Sequence, residues 1–303
     1  MRAGPLAISE SVRPALCRRY PEEEPEAQVL HIEVLGPLDV RVHGVSVVPT
    51  AGKPRQLLAL LAQHAGRIVP VPTLVDELWG DDVPRSVSTT MQTYVLQLRR
   101  KIGGALAAAA GETGAGPGLD SKDVLSTCYG GYRLAAPERP SDAARFEQLA
   151  AQGATALEAG DARRAAAVLG RALELWQGDP LADVPVGRVL AMEVLALTEA
   201  RARARELRIE ADLRLGRHAA LVGELRVLTA REPLHEGHCA QLMLALSRSG
   251  HPWRALEAFQ RLRAALRDEL GVEPSPRLQA LHQQILTGAA EHELPVAYER
   301  FAS

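Results

Sequence analysis

The sequence predicts a mainly α-helical protein with a small β component, arranged as two consecutive domains. Its 303 residues, 47% of them hydrophobic, suffice for about two separate cores. Strand-like alternation of apolar and polar residues is confined to residues 30–48 and 124–134. Helical spacing of apolar residues fills three stretches between residues 53 and 102 and nearly all of the chain beyond Pro140. The β component therefore belongs to the first domain, and the second domain is all α.

The composition narrows the class of protein before any motif is considered. A formal net charge of −2 excludes a wholly basic protein that coats nucleic acid, so any DNA contact must come from a local cluster of cations. The three cysteines are far apart and odd in number, as expected in a reducing cytosol rather than in a disulfide scaffold. No apolar run reaches the roughly 18 residues that a membrane span needs, and residues 1–28 lack the apolar core of a signal peptide. We therefore expect a cytoplasmic protein without membrane contacts that begins with a disordered tail.

Residues 30–48 predict a small antiparallel meander of three or four strands. Apolar residues alternate with polar ones between turns at residues 36–37 and 43–44. This segment supplies the strands that precede the helices of the first domain.

Three helices follow the meander. The first begins near Pro54 and ends at Gly66, and the second spans residues 72–79. The predicted inner stripe of the first helix consists of Leu57, Leu58, Leu61 and Ala65. The breaker GDDVP at residues 80–84 then leads into the third helix. Three helices with a tight loop before the third form a helix-turn-helix order, in which the third helix reads a DNA groove.

The third predicted helix, residues 85–102, has two chemically distinct faces. A rotation of about 100° per residue gathers the apolar side chains of RSVSTTMQTYVLQLRRKI on one face. That face consists of Val87, Met91, Tyr94, Val95, Leu98 and Ile102. The opposite face holds Leu96 among hydroxyl, amide and guanidinium groups, which can reach base edges in a major groove. The major-groove candidates are Thr89, Thr93, Gln97 and Arg100, and the adjacent phosphate candidates are Arg99 and Lys101. The alternative is an ordinary amphipathic helix with a solvated outer face.

A hairpin is predicted shortly after the third helix. Residues 103–123 are rich in Gly and Ala and predict either a frayed helical extension or a mobile loop. Residues 124–134, VLSTCYGGYRL, then predict two short strands, which would form a wing beside the recognition helix. The candidates for contact with the DNA backbone or minor groove are Thr127, Tyr129 and Arg133 in the wing and Lys53 and Arg55 at the start of the first helix. Tyr132 is predicted to belong to the core.

The chain beyond Pro140 repeats a pair of helices. Turn glycines fall at Gly160, Gly216 and Gly250, and the last two are 34 residues apart, the length of a tetratricopeptide unit. The wider first gap predicts an extra helix over residues 189–213. Such an array offers a superhelical surface to a protein partner. The alternative is a structural helical domain without a peptide groove.

Five short sequence segments, in their order and spacing, resemble those of one family of winged-helix proteins. They are LGPLDVRV, KPRQLLALLAQHAG, ELWGDD, TTMQTYVLQLRRKIG and GGYRL. Residues 30–134 resemble the OmpR-like winged-helix output domain of response regulators and, more narrowly, the DNA-binding domain of the Streptomyces antibiotic regulatory protein family. In the second half, RIEADLRLGRH and LMLALSRSGHPWRALEAFQRL resemble the bacterial transcriptional activation domain that follows it in that family. Cys128 departs from the family pattern, since many members carry Arg in the wing.

The resemblance implies both a division of the chain and a function. The division is a disordered tail at 1–28, a winged-helix domain at 29–138, a tetratricopeptide-like activation domain at 139–288 and a C-terminal tail at 289–303. Members of the family resemble activators that bind direct repeats in double-stranded DNA upstream of the promoters of antibiotic gene clusters. They recruit RNA polymerase through its sigma and alpha subunits. The resemblance therefore implies a homodimer on DNA, with Asp81 and Asp82 as candidate polymerase contacts.

No catalytic constellation, cofactor or metal site is expected. In HEGH at residues 235–238 the histidines are three residues apart, whereas a zinc-binding helix needs them four apart. GKP at residues 52–54 lacks the Ser or Thr that follows Lys in a phosphate-binding loop. An enzyme is therefore the least favoured class of protein.

A protein-interaction adaptor without sequence-specific DNA reading is the alternative function. Residues 29–136 contain ten Lys or Arg against nine Asp or Glu, and a DNA-binding domain usually has a larger excess of cations. Three of those ten cations are consecutive, at residues 99–101, which favours DNA.

Overall fold

The computed structural model describes residues 29–113 and 119–288, and it confirms the predicted fold class. The tails predicted at residues 1–28 and 289–303 lie outside the described residues. Within the described part, most residues are helical and the strands form two small sheets. None of the described helices combines the length and the hydrophobicity that a membrane span requires.

The first sheet has three antiparallel strands in the order β1-β2-β3. They are β1 (Leu30–Glu33), β2 (Asp39–Val42) and β3 (Val45–Ser46). Alternate residues of β1 and β2 are buried, as the period of two predicts. Between β2 and β3, His43 and Gly44 adopt φ of 47° and 78°, the positive values of a tight two-residue hairpin turn. The predicted meander therefore consists of three strands.

Three helices follow in the predicted helix-turn-helix order: α1 (Gly52–Gln63), α2 (Val71–Trp79) and α3 (Val87–Thr113). Residues 57–62 of α1 are each at most 4% exposed. The buried surface of α1 is wider than the predicted stripe because α2, α3 and the second sheet all contact this helix. Since α3 continues to Thr113, the first part of the Gly- and Ala-rich segment is a helical extension rather than a loop.

The second sheet contains the predicted hairpin and one strand that the sequence did not predict. The order is β4-β6-β5, with β4 at Val69–Pro70, β5 at Leu125–Cys128 and β6 at Gly131–Leu134. A short helix, α4 (Ser121–Val124), precedes β5 and was also not predicted. Tyr132 is 8% exposed, which confirms its predicted place in the core.

Seven helices form the second half of the described chain. They are α5 (Asp142–Glu158), α6 (Ala162–Leu173), α7 (Arg188–Arg214), α8 (His218–Arg231), α9 (Glu236–Arg248), α10 (Pro252–Leu270) and α11 (Pro276–Leu286). The predicted turn glycines Gly160, Gly216 and Gly250 follow α5, α7 and α9 with φ of 81°, 77° and 80°. The 27-residue helix α7 is the predicted extra helix between the first two turn glycines.

The hydrophobic core is not divided at the change of composition near residue 138. One cluster of buried residues runs from the first sheet through α1–α3 and on into α5–α7, whereas a second cluster fills α8–α11. The two clusters meet in the last part of α7, where Ala211 belongs to the first and Ile209 to the second. The winged helix therefore shares its core with the first helices of the second half.

Candidate nucleic-acid interface

The outer face of α3 is exposed and carries all four predicted major-groove residues. Thr89, Thr93, Gln97 and Arg100 are exposed. On the opposite face, Met91, Val95, Leu98 and Ile102 are at most 2% exposed and anchor the helix in the core. Leu96 is 49% exposed and lies on the same outer face as the polar residues. The polar face of α3 is therefore open to solvent, while the opposite face of the helix is packed in the core.

A stacked aromatic pair joins α3 to α2. The rings of Trp79 and Tyr94 are 6.2 Å apart between centroids and nearly parallel. The Lys53 ammonium donates to the Leu78 carbonyl oxygen at 2.6 Å and lies 5.2 Å from the Trp79 ring centroid. Lys53 therefore stabilises the C-terminal end of α2, and its charge is already engaged within the protein.

Arg55, the second candidate on α1, links the two halves of the chain. Its Nε donates to the Pro49 carbonyl oxygen at 2.8 Å. Its Nη1 donates to the Asp183 carbonyl oxygen at 2.9 Å and to the Asp183 carboxylate at 3.1 Å. The structure thus places Lys53 and Arg55 in intramolecular contacts rather than among the free cations of the α3 face.

Of the three consecutive cations in α3, Arg99 positions the wing. Its Nε donates to the Leu125 carbonyl oxygen at 2.9 Å, and its Nη2 donates to the Thr127 hydroxyl at 2.8 Å. Both acceptors belong to β5. Arg100 and Lys101 are exposed. The sequence predicts Arg99 and Lys101 as phosphate contacts, whereas in the structure Arg99 is hydrogen-bonded to Thr127, itself a predicted wing contact.

The wing presents one aromatic and one basic side chain to solvent. Tyr129, in the turn between β5 and β6, is fully exposed, and Arg133 on β6 is exposed as well. Cys128, which departs from the family pattern, is half-buried, with its Sγ 3.7 Å from the Ser126 hydroxyl. Tyr129 and Arg133 are therefore the predicted wing residues whose polar groups are available to a ligand.

The loop between α2 and α3 is held against the start of α7. Arg188 forms ion pairs with Asp81 and with Asp76, and its hydrogen bond and positive charge lower the pKa of Asp81. Asp81 nevertheless remains 91% exposed in its side chain, and Asp82 is exposed beside it. The two candidate polymerase contacts therefore lie at the junction of the winged helix and the activation domain.

A buried carboxylate that the sequence did not single out fixes that junction. Glu77, 2% exposed, accepts hydrogen bonds from the backbone N–H groups of Gly187 at 2.6 Å and of Val189 and Leu190, each at 2.9 Å. These groups open α7, so the carboxylate caps the positive end of a long helix. The Gln56 side chain donates a fourth hydrogen bond at 2.7 Å. An acid next to Leu78 on the apolar side of α2 was the only sequence signal for this role.

Asp142 makes a second buried connection between the halves. Its carboxylate accepts from the backbone N–H groups of Val34 at 2.9 Å and Leu35 at 2.8 Å, just beyond β1. Burial raises the pKa of Asp142 even though these hydrogen bonds favour its charged form. Glu77 and Asp142 thus join α2 and the end of β1 to the helical second half.

Two histidines of the HEGH segment meet a carboxylate from α7. His235 Nε2 lies 3.2 Å from Glu206, the two imidazole centroids are 3.9 Å apart, and ligand atoms of Glu206, His235 and His238 all lie within 4.8 Å of one another. However, His235 Nδ1 accepts the His238 backbone N–H at 3.1 Å and so caps α9. A neutral imidazole that accepts a hydrogen bond at Nδ1 carries its proton on Nε2. The Nε2–H group of His235 then donates to the Glu206 carboxylate, and this hydrogen bond lowers the pKa of Glu206. In this arrangement His235 has no lone pair for a metal.

The chain matches two families that together cover most of the described residues. Residues 46–112 match the family described as transcriptional regulatory protein, C terminal, and residues 141–286 match the bacterial transcriptional activator domain. The regulatory protein DnrI of Streptomyces peucetius is 52% identical over 257 residues, which cover 85% of this chain and 92% of DnrI. AfsR of Streptomyces coelicolor is 37% identical over 94% of this chain, which spans only 26% of AfsR.

A solved structure has a similar fold over most of this chain. Mycobacterium tuberculosis EmbR, determined in complex with a low-affinity phosphopeptide, matches with a TM-score of 0.76 and 32% sequence identity. The match covers 89% of this chain and 67% of the EmbR chain. It supports the packing of an OmpR-type winged helix against a helical activation domain.

The fold and the two family matches define a DNA-binding transcriptional regulator with a winged helix and a bacterial transcriptional activator domain. This chain belongs to the Streptomyces antibiotic regulatory protein family of transcriptional activators. That family consists of regulatory transcription factors, in agreement with the enzyme being the least favoured class.

Proposed function

We propose that the protein binds direct repeats upstream of promoters, sequence-specifically, and recruits RNA polymerase to switch on an antibiotic biosynthetic gene cluster. The observation that carries the proposal is the exposed polar face of α3, on a helix whose other face is anchored in the core. In a helix-turn-helix protein the corresponding helix enters the major groove. The family to which the chain belongs supports the gene-cluster target.

Three residues of the α3 face have a defined chemical role in this proposal. Arg100 can donate two hydrogen bonds to guanine, and Gln97 can pair with adenine through its amide. The Thr93 hydroxyl already donates to the Thr89 carbonyl oxygen at 2.9 Å, so toward a base it can only accept. Thr93 therefore suits the amino group of adenine or cytosine.

Contacts with the DNA backbone would come from a smaller set than the sequence predicts. Lys101 on α3 and Tyr129 and Arg133 on the wing are exposed. Arg99 and Thr127 would act by holding the wing in place, because they are engaged with each other. Backbone contacts fix the register of the protein on the duplex, and the α3 residues then read the bases.

Two protomers on a direct repeat would lie head to tail. Binding the second protomer beside the first raises the overall affinity without further base contacts. In this arrangement the exposed loop with Asp81 and Asp82, which Arg188 holds beside the start of α7, would contact the sigma and alpha subunits of RNA polymerase.

An electrophoretic mobility shift assay over a salt series tests base reading. The probes are promoter fragments from genes adjacent to its own and a random duplex of equal length. Arg100→Ala and Gln97→Ala should each weaken binding to the promoter site by about 1–3 kcal/mol, roughly five- to 150-fold, with a much smaller loss on random DNA. Arg226→Ala, which removes an exposed arginine of α8, is the matched control and should change neither affinity.

Two outcomes would contradict the proposal in different ways. Equal losses on both duplexes would show that Arg100 and Gln97 contact only the backbone. Absence of any shifted complex at low salt would favour the protein-interaction adaptor, which the nearly balanced charge of residues 29–136 also permits.

A further inference from the structure

An apolar side chain lies in the middle of the polar face of α3. Leu96 is 49% exposed, while its neighbours Val95 and Leu98 are 2% and 1% exposed. Leu96 is three residues after Thr93 and four before Arg100, the spacing that places side chains next to each other on a helix. Leu96 belongs to neither of the two hydrophobic clusters found among the described residues.

The position of Leu96 decides what can cover it. If Thr93, Gln97 and Arg100 contact base edges, the isobutyl group between them must also enter the major groove. Against a hydrogen-bonding base edge, Leu96 would remove water from a polar group without replacing the lost hydrogen bond, which is unfavourable. The apolar group that a natural major groove presents is the C5-methyl group of thymine.

We infer that Leu96 is a specificity-determining residue that reads the C5-methyl group of a thymine within each half-site. The inference rests on the proposed function, because it requires α3 to lie in the major groove. It adds an A·T base pair to the bases that the polar residues read. The contact buries about one methyl group, which corresponds to roughly 0.8 kcal/mol and about a fourfold change in affinity.

Replacing thymine by deoxyuridine in the operator removes the methyl group and keeps the base pairing. With the full chain and a promoter fragment in which footprinting has located the site, each thymine of one half-site is replaced in turn. One replacement should weaken binding of the wild-type protein about three- to fivefold. Leu96→Ala should lose a similar factor on the thymine operator and should no longer distinguish thymine from deoxyuridine at that position.

Leu195→Ala is the matched control, because Leu195 on α7 is 50% exposed and lies outside the α3 face. It should keep both the wild-type affinity and the wild-type response to deoxyuridine. A thermal melt of Leu96→Ala checks folding, and removal of an exposed side chain should leave the melting temperature unchanged within about 1 °C.

The outcomes separate this inference from the proposed function. If the wild-type protein shows no site-specific complex, the proposed function fails. If it binds specifically but no deoxyuridine replacement matters, or if Leu96→Ala retains the full thymine preference, only the inference fails. A loss caused by Leu96→Ala that is equal on thymine and deoxyuridine operators would assign Leu96 to a protein-protein contact between bound protomers.

Discussion

Side chains of the same chemical type have different roles in this protein, and the contacts around each one determine its role. Arg99, Arg100 and Lys101 are consecutive, yet Arg99 is bonded to β5 while the other two remain exposed. The sequence alone shows three cations and cannot show which of them is free. A census of charged residues therefore overestimates the number of cations that this domain can offer to DNA.

The two cysteines of the described chain should differ in reactivity. Burial raises the pKa of Cys239 from its ordinary 9.0 to about 12, and its side chain is 3% exposed. At pH 8 the thiolate population of Cys239 should therefore be on the order of a thousandfold below that of an exposed thiol. Alkylation with iodoacetamide, followed by mass spectrometry of the peptides, should leave Cys239 unmodified in the native protein.

Denaturation provides the control for this measurement. In urea, Cys239 should be alkylated at the rate of an ordinary thiol. The half-buried Cys128 should react in the native protein faster than Cys239. Alkylation of native Cys239 at a rate similar to that of Cys128 would contradict its burial between α9 and α10.

Among the helices and strands, length determines how much the sequence could predict. α3 and α7 are long enough to show several turns of periodicity, and both were predicted within a few residues at their starts. β4 has two residues and, unlike the equally short β3, does not continue an alternating segment, whereas α4 has four residues, about one helical turn, which is too short for a helical period to appear. The polar face of α3 was likewise predictable because it depends only on helical rotation.

Contacts between distant elements were not predictable in the same way. Glu77 caps a helix whose N-cap residue, Gly187, lies 110 positions further along the chain. Nothing local distinguishes this glutamate from a surface acid except its place beside Leu78. The intramolecular role of Arg55 is not predictable for the same reason, because Asp183 is 128 residues from Arg55. Lys53 contacts Leu78, which is 25 residues away on the next helix.

The wing depends on its bond to α3, and Arg99→Ala tests this dependence. The variant loses the hydrogen bonds to Leu125 and Thr127, so β5 should become more mobile while the helical core remains folded. We expect binding to weaken about three- to tenfold on promoter and random DNA alike, since in the proposed function the wing contacts the DNA backbone and backbone contacts carry no sequence information. Mobility shift assays and hydrogen exchange of the β5 amides measure the two effects.

Arg99→Lys and Arg226→Ala complete this test. A lysine ammonium cannot reproduce the planar fork of arginine, so Arg99→Lys should fall between wild type and Arg99→Ala in affinity. Arg226→Ala should behave as wild type. If Arg99→Ala bound random DNA normally and lost only the promoter site, Arg99 would be a base contact instead.

For the protein as a whole, the junction between the two halves is closely packed. A Cβ at Gly187 would lie 2.0 Å from the Glu77 carbonyl oxygen and 2.9 Å from its carboxyl carbon. Gly187→Ala should therefore push α7 away from α2 and lower the free energy of unfolding by on the order of 3 kcal/mol. Urea unfolding followed by circular dichroism measures the change.

Gly223→Ala in α8 is the matched control for Gly187→Ala. A Cβ at Gly223 meets nothing within 4 Å, and alanine is favoured over glycine inside a helix. This substitution should stabilise the protein by about 0.5–1 kcal/mol. Equal stability of the two variants would show that α2 and α7 do not pack as closely as described.

The shared core has a practical consequence for retargeting the protein to another operator. A chimaera that exchanges residues only up to the compositional change near residue 138 would cut through one cluster of buried side chains and would separate Glu77 from α7. Grafting the exposed α3 side chains alone leaves those contacts intact. New DNA specificity should therefore be introduced in one of two ways: by substituting the exposed α3 side chains, or by exchanging a segment that extends to the end of α7. Chimaeras joined between residue 138 and the end of α7 should misfold.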